Sequence, residues 1–292
     1  MAKPRWMKLI VSLSLTDYYC ASLAPGNAAL VRIRRGWRPK LVQKSLASSS
    51  VGMALMDSQH QPWLTELGLL KGLLEEVKHK RPITVVISNH YMRYRLVPPP
   101  PLSMPKTEVQ ALIQHCFRET YGNVADDWII RANPLPGRGD QVACAVDKAL
   151  IEGLGVILRK PGLKLESVKP HFMAGFNTIC RRINSSSSCF VQAESGRVMI
   201  GIVRDNAWLG LRAVAVNGNL GEELPTHIDR EVLLAGEGNE NPAIILDVPQ
   251  TVQTPTLDGL RQLNISRVPQ PRLDGYSPLD DVSYAMALRG VQ

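Results

Sequence analysis

Two short stretches of this chain carry the residue types that could hold a phosphate. One is Gln192-Ala193-Glu194-Ser195-Gly196, within QAESGRVMIGIV (192–203) and just after SCFV (188–191). Apolar residues flank a tight Glu194-Ser195-Gly196 turn on both sides, the pattern of a β-hairpin. Such a turn can cradle a phosphate with its backbone amides while its carboxylate orients a metal or a water. The other stretch is Ser12-Leu13-Ser14-Leu15-Thr16-Asp17, where the hydroxyls of Ser14 and Thr16 could face the same phosphate. The candidate nucleotide-pocket residues are therefore Ser14, Thr16, Glu194, Ser195 and Gly196.

Each element of that pocket is degraded. The first stretch has no Asp-x-Gly, and Leu13 and Leu15 stand where close backbone approach wants glycine. Glu194 is a methylene longer than the Asp that usually serves a metal. An adenosine would also need a glycine-rich seat, yet Pro249-Gln250 follows the apolar run 243–248. The expectation is a pocket that keeps its shape without catalytic or metal-binding residues. No ATP hydrolysis is expected, and ATP is the one cofactor left open.

Other reactive-looking groups have structural explanations. His115-Cys116 sits on an expected helix with no acid at catalytic spacing. Gly137-Arg138-Gly139-Asp140 reads as a turn between strands, Ser185–Ser188 as a loop, and Arg181-Arg182 as a helix end. The five cysteines are widely spaced and form no Cys-x-x-Cys pair, which argues against a structural zinc or a disulfide framework and for free thiols in a reducing compartment.

Composition narrows the class. The 292 residues are 45% hydrophobic and 21% charged, ordinary for a soluble globular protein, and no apolar run reaches the roughly 18 residues of a membrane span. Residues 9–15 read as a strand, not a signal peptide. Net charge is 34 − 26 = +8. The basic residues are scattered and aromatics are only 5%, so stacking platforms for nucleic acid are not expected. A membrane-proximal address suits the charge at least as well.

The elements that must position these residues repeat. Residues 8–15, 27–34 and 38–45 read as strands, separated by the turn chemistry of Ala24-Pro25-Gly26-Asn27 and Arg35-Gly36-Trp37. Leucines at three- and four-residue spacing over 62–80 predict an amphipathic helix, and 83–87 a buried strand. The same β-β-β-α-β order returns at 189–193, 198–203, 209–216, 220–234 and 243–248. Between the halves, 91–168 predicts an inserted α/β unit: strand 92–97, the proline run 98–101, helix 106–121, strands 128–132 and 141–146, helix 147–158. A short helix over 257–263 and a closing helix over 280–288 complete the reading. Two such halves across a cleft make an α/β, actin-like plan, the actin/Hsp70/hexokinase superfold. The expected division is 1–90 for the first half of lobe I, 91–168 for the insert, and 169–292 for lobe II with the C-terminal helix. Residues 8–46 and 188–216 should form matching meanders.

ITVVISNHYMRYRLVPPPP, then a helix ending FRETYG, then DQVACAVDKALIEGL with its Ala145-Val146-Asp147 junction, resembles the cytoplasmic actin-like components of type IV pilus and type II secretion assembly, the PilM/GspL type. GRVMIGIVRDNAWLGLRAV and the terminal YAMALRG extend the resemblance from about residue 8 to 290. Each motif is weak; their order is specific. The lack of a spanning segment makes the stand-alone pilus-type member the closer likeness. The resemblance implies a non-catalytic scaffold in the bacterial cytoplasm, peripheral to the inner membrane, that grips the cytosolic peptide of a bitopic inner-membrane protein, with an assembly ATPase as a further partner. The alternatives are a nucleotide-binding actin-like ATPase or switch, and a basic nucleic-acid-binding protein.

Overall fold

The computed structural model describes residues 17–49, 61–77, 80–101, 103–133, 139–159, 162–180, 183, 187–217, 220–236, 242–248 and 265–291. Two five-stranded sheets repeat one plan. In the first, β1 (Tyr18–Ala24), β2 (Asn27–Arg34) and β3 (Lys40–Ser48) form an antiparallel meander. Helix α1 (Leu64–Glu75) then crosses over to β4 (Pro82–Ile87), which runs parallel to β1. In the second, β9 (Ser188–Glu194), β10 (Arg197–Arg204) and β11 (Ala207–Ala215) repeat the meander, and α5 (Leu220–Leu234) leads to β12 (Ala243–Asp247), parallel to β9. With β8 (Lys164–Pro170) and β13 (Ile265–Arg267) added, the strand orders are β3-β2-β1-β4-β8 and β11-β10-β9-β12-β13.

The duplication extends to the turns. Ala24 pairs with Asn27 and Glu194 with Arg197, so each first hairpin closes on two residues, Pro25-Gly26 and Ser195-Gly196. Gly26 and Gly196 take φ of 74° and 72°, a left-handed backbone that glycine adopts without a Cβ clash.

The first strand differs from expectation. The partner of β2 is Tyr18–Ala24, and the expected strand at 8–15 lies outside the described residues, as does the helix over 257–263. β1 is buried on both faces, so it lacks the polar alternation that marks a half-exposed strand.

The insert is also smaller than 91–168. Strands β5 (Met92–Val97), β7 (Gln141–Asp147) and β6 (Trp128–Asn133) form a separate three-stranded sheet covered by α2 (Lys106–Tyr121). However, α3 (Lys148–Arg159) packs against α1, and β8 joins the first sheet beside β4. The chain therefore returns to the first lobe before β8, where the apolar face of α3 (Leu150, Leu154, Leu158) is buried in the first-lobe core.

The C-terminal helix is one turn, α6 (Ala285–Leu288), where nine residues were expected. It belongs to the first lobe, not the second: Ala287 and Leu288 pack with Tyr18, Cys20, Val31 and Ile33 on the face of sheet one opposite α1. Asp281 fastens this returning segment to β3, accepting from Lys44 Nζ at 2.6 Å and from the Ser277 amide at 3.0 Å.

Candidate functional site

The two glycine turns face a common cleft of about 580 Å³ between the lobes, lined by Pro25 and Gly26 from one side and Glu194 and Ser195 from the other. His90, His171, Asp247 and Arg289 line it as well, with Tyr276, Val282 and Met286 from the returning C-terminal segment. Ligands of open α/β sheets bind at the carboxyl ends of parallel strands, where Ser88-Asn89, Glu194 and Asp247 stand.

Glu194 reaches across the cleft and is already engaged. One oxygen takes a short bond from the Ser88 hydroxyl. The other accepts from the Asn89 amide at 3.0 Å and lies 2.6 Å from His171 Nδ1, the donor of that pair. Burial pushes the Glu194 carboxyl up, but the bond and charge of His171, with Asn89 and Ser88, outweigh it and hold the group below its ordinary value. The carboxylate is a clasp between β4 and β9, and both of its oxygens already accept hydrogen bonds.

Asn89 is the centre of a larger network. It is 1% exposed. Its side-chain amide donates to Gln192 at 2.9 Å, and its side-chain carbonyl accepts from Tyr94 Oη at 2.6 Å and from the Phe172 amide at 3.1 Å. Its backbone carbonyl accepts from Arg197 at 2.9 Å. Gln192 donates onward to Asp247 Oδ2 at 2.8 Å, and the other Asp247 oxygen is held by Arg289. First lobe, insert and second lobe thus meet in one buried chain of hydrogen bonds, and both cleft carboxylates are fully partnered within it. Such a network rigidifies a fold when every member is satisfied.

The facing turn is similarly engaged. The Gly26 amide, the donor a phosphate would seek there, points instead to Glu66 Oε1 at 2.8 Å. Glu66 lies on α1 and is 4% exposed, so a buried carboxylate backs the turn and opposes an incoming anion. On the other side, His90 Nε2 donates to the Ser195 carbonyl at 2.9 Å. Burial, with Arg197 nearby, lowers the His90 pKa and favours the neutral ring.

Of the predicted site residues, the structure brings Glu194 and Ser195 to the cleft. Gly196 turns the chain behind them. Ser14 and Thr16 fall outside the described residues, as does Pro249-Gln250; among the described residues, the hairpin that faces Glu194 is built by Pro25-Gly26. Residues that sequence reasoning passed over (Ser88, Asn89, His171, Gln192, Asp247, Arg289) make up most of the network. A signal was present: a glutamine inside the apolar CFVQA run, and polar residues directly after two buried parallel strands. The set-aside groups have ordinary contacts: Cys116 is buried, and His115 lies 3.3 Å from Glu119.

No family model matches the chain, and no curated protein does. Solved structures of the same shape do. The "PilM-PilN type IV pilus biogenesis complex" aligns over 95% of this chain and 99% of that one, with a TM-score of 0.67 at 16% identity. The cytoplasmic domain of EpsL, an inner-membrane component of the type II secretion system of Vibrio cholerae, aligns over 94% and 95%, with a TM-score of 0.57 at 10% identity. A Bacteroides thetaiotaomicron protein of actin-like ATPase fold and unknown function covers 96% and 98%, with a TM-score of 0.60 at 10% identity. The fold is actin-like: two lobes of duplicated topology around an interlobe cleft. Among the described residues, no helix is long and apolar enough to cross a membrane.

Proposed function

We propose that this chain is a non-catalytic actin-like scaffold of a type IV pilus or secretion-type assembly machine. It works in the cytoplasm at the inner membrane, holding the cytosolic peptide of a bitopic membrane protein. The observation that carries the pilus-type reading is the nearly end-to-end likeness to the PilM-PilN structure, insert included. The non-catalytic part rests on chemistry. Glu194 and Asp247 are tied to Ser88, His171, Gln192 and Arg289, and the Gly26 amide to Glu66. A triphosphate would have to compete with those bonds and offset the desolvation of its own charge, and its metal would meet carboxylates already engaged with other donors. An extended peptide needs neither; it is recognised by a sheet edge or by apolar pockets.

A second reading, a nucleotide-binding switch, has one observation in its favour: the cleft remains about 580 Å³ in volume beside both glycine turns. The two separate by experiment. Cross-linking in membranes of the producing cell should capture a single-span inner-membrane protein, and deleting that partner should let a high-salt wash release most of this chain into the soluble fraction. Retention without the partner through a high-salt wash, or ATP turnover abolished by Glu194→Gln, would overturn the scaffold reading.

A further inference from the structure

We propose that the β2–β3 hairpin tip, residues 34–40, is a contact for an anionic lipid surface. Trp37 at its apex is 100% exposed, whereas Trp63 and Trp208 are 5% and 2% exposed. An indole has a large apolar body and one polar N–H, the combination that settles at the boundary between headgroups and acyl chains. Around it, within seven residues, stand Arg34, Arg35, Arg38 and Lys40.

The charge is poorly neutralised by the protein itself. Arg34 and Lys40 are direct cross-strand partners at the mouth of the loop, a like-charge pairing that weakens a hairpin. Asp17 lies 3.8 Å from Arg34 and 3.7 Å from Arg32. Arg35 sits over the Tyr18 ring at 4.8 Å. Arg38 and Lys40 are exposed and have no carboxylate partner among the described residues. Asp274 also lies beside the tip, pairing with Lys40 and Leu41 through its backbone, with exposed Arg272 to offset it. Glu166, like Arg35, acts electrostatically on Tyr18.

Placement fits a planar partner. The tip joins the edge strand β3 to β2, at the end of β2 opposite the Pro25-Gly26 turn. β2 has eight residues, so the tip lies roughly 26 Å from the cleft. Contact there leaves the cleft open. A projecting loop with one indole between cations offers no groove for a folded protein. A single aromatic also makes no run of stacking platforms for bases, although this cluster does hold the tryptophan that the scattered-charge reading overlooked. An anionic bilayer is matched by both the charge and the indole.

The inference is independent of the peptide-binding role and is tested without a partner. The purified full chain is floated with vesicles of phosphatidylcholine alone, or of equal parts phosphatidylcholine and phosphatidylglycerol. Binding is expected to the anionic vesicles only, and to fall with added salt. Arg38→Glu with Lys40→Glu should weaken it by about tenfold or more, and Trp37→Ala should weaken it while leaving the melting temperature unchanged. Equal flotation of wild type and both variants would overturn the proposal, as would equal binding to neutral and anionic vesicles. So would binding of a single-stranded oligonucleotide, lost in Trp37→Ala, with no vesicle binding.

Discussion

Glu194 is a cleft carboxylate that ties β9 to the residues after β4 and to His171. Its three donors come from Ser88, Asn89 and His171, so truncation leaves several buried polar groups without a partner at once. Glu194→Ala should cost ~2–4 kcal/mol, seen as a melting temperature lower by roughly 5–10 °C. Because the folded carboxyl lies below its ordinary value of 4.5, its contribution is fully present above that pH. It is lost as pH falls from there through the folded pKa. The acid limb of the stability curve should therefore be shallower in Glu194→Gln than in wild type. Calorimetric titration with ATP and magnesium should show no more than weak binding, unchanged by the substitution at a temperature where both proteins are folded. Micromolar affinity abolished by that one change would mean the hairpin is a working phosphate site.

Helix α4 (His171–Ile179) shows how an element is shaped by what it carries. Its first residue supplies His171 to the clasp, and Phe172 and Phe176 pack on Phe190 and Trp208 of the second lobe. Gly175 lets the helix pass directly over the network: a Cβ there would stand 2.5 Å from Asp247 Oδ2 and 2.6 Å from Gln192 Nε2. Alanine normally favours a helix by about 1 kcal/mol over glycine. Here Gly175→Ala should instead destabilise by ~1–3 kcal/mol, because the displaced groups are buried and hydrogen-bonded. Urea melts of the two proteins measure the sign, and a stabilised variant would show that the network has room to shift.

At the scale of the whole molecule, Asn89 joins the lobes. Its bonds reach β9 through Gln192 and Glu194, β10 through Arg197, the insert through Tyr94, and α4 through the Phe172 amide. Wild type should unfold in one cooperative transition. Asn89→Ala should lower the midpoint and split or broaden that transition, since the lobes retain separate apolar cores. A sharp single transition at the wild-type midpoint would mean that the apolar interface alone couples them.

What the sequence determined alone was the repeated β-β-β-α-β plan and its turns, but not the added strands β8 and β13. Pro25-Gly26, Ser195-Gly196 and Asp205-Asn206 all turn where local chemistry says they should, the last pair with φ of 50° and 61°. Helical periodicity and turn propensity act within a few residues, so a local window contains them. The tertiary structure decided the rest. Tyr18–Ala24 is buried on both faces and carries no alternation to mark it as the first strand. The insert ends before α3, and the last helix returns to the first lobe, because distant apolar faces bury those segments. The surroundings of Glu194 are tertiary in the same way: Ser88 lies 106 positions away and His171 23, and only the closing of two lobes brings their side chains to its carboxylate.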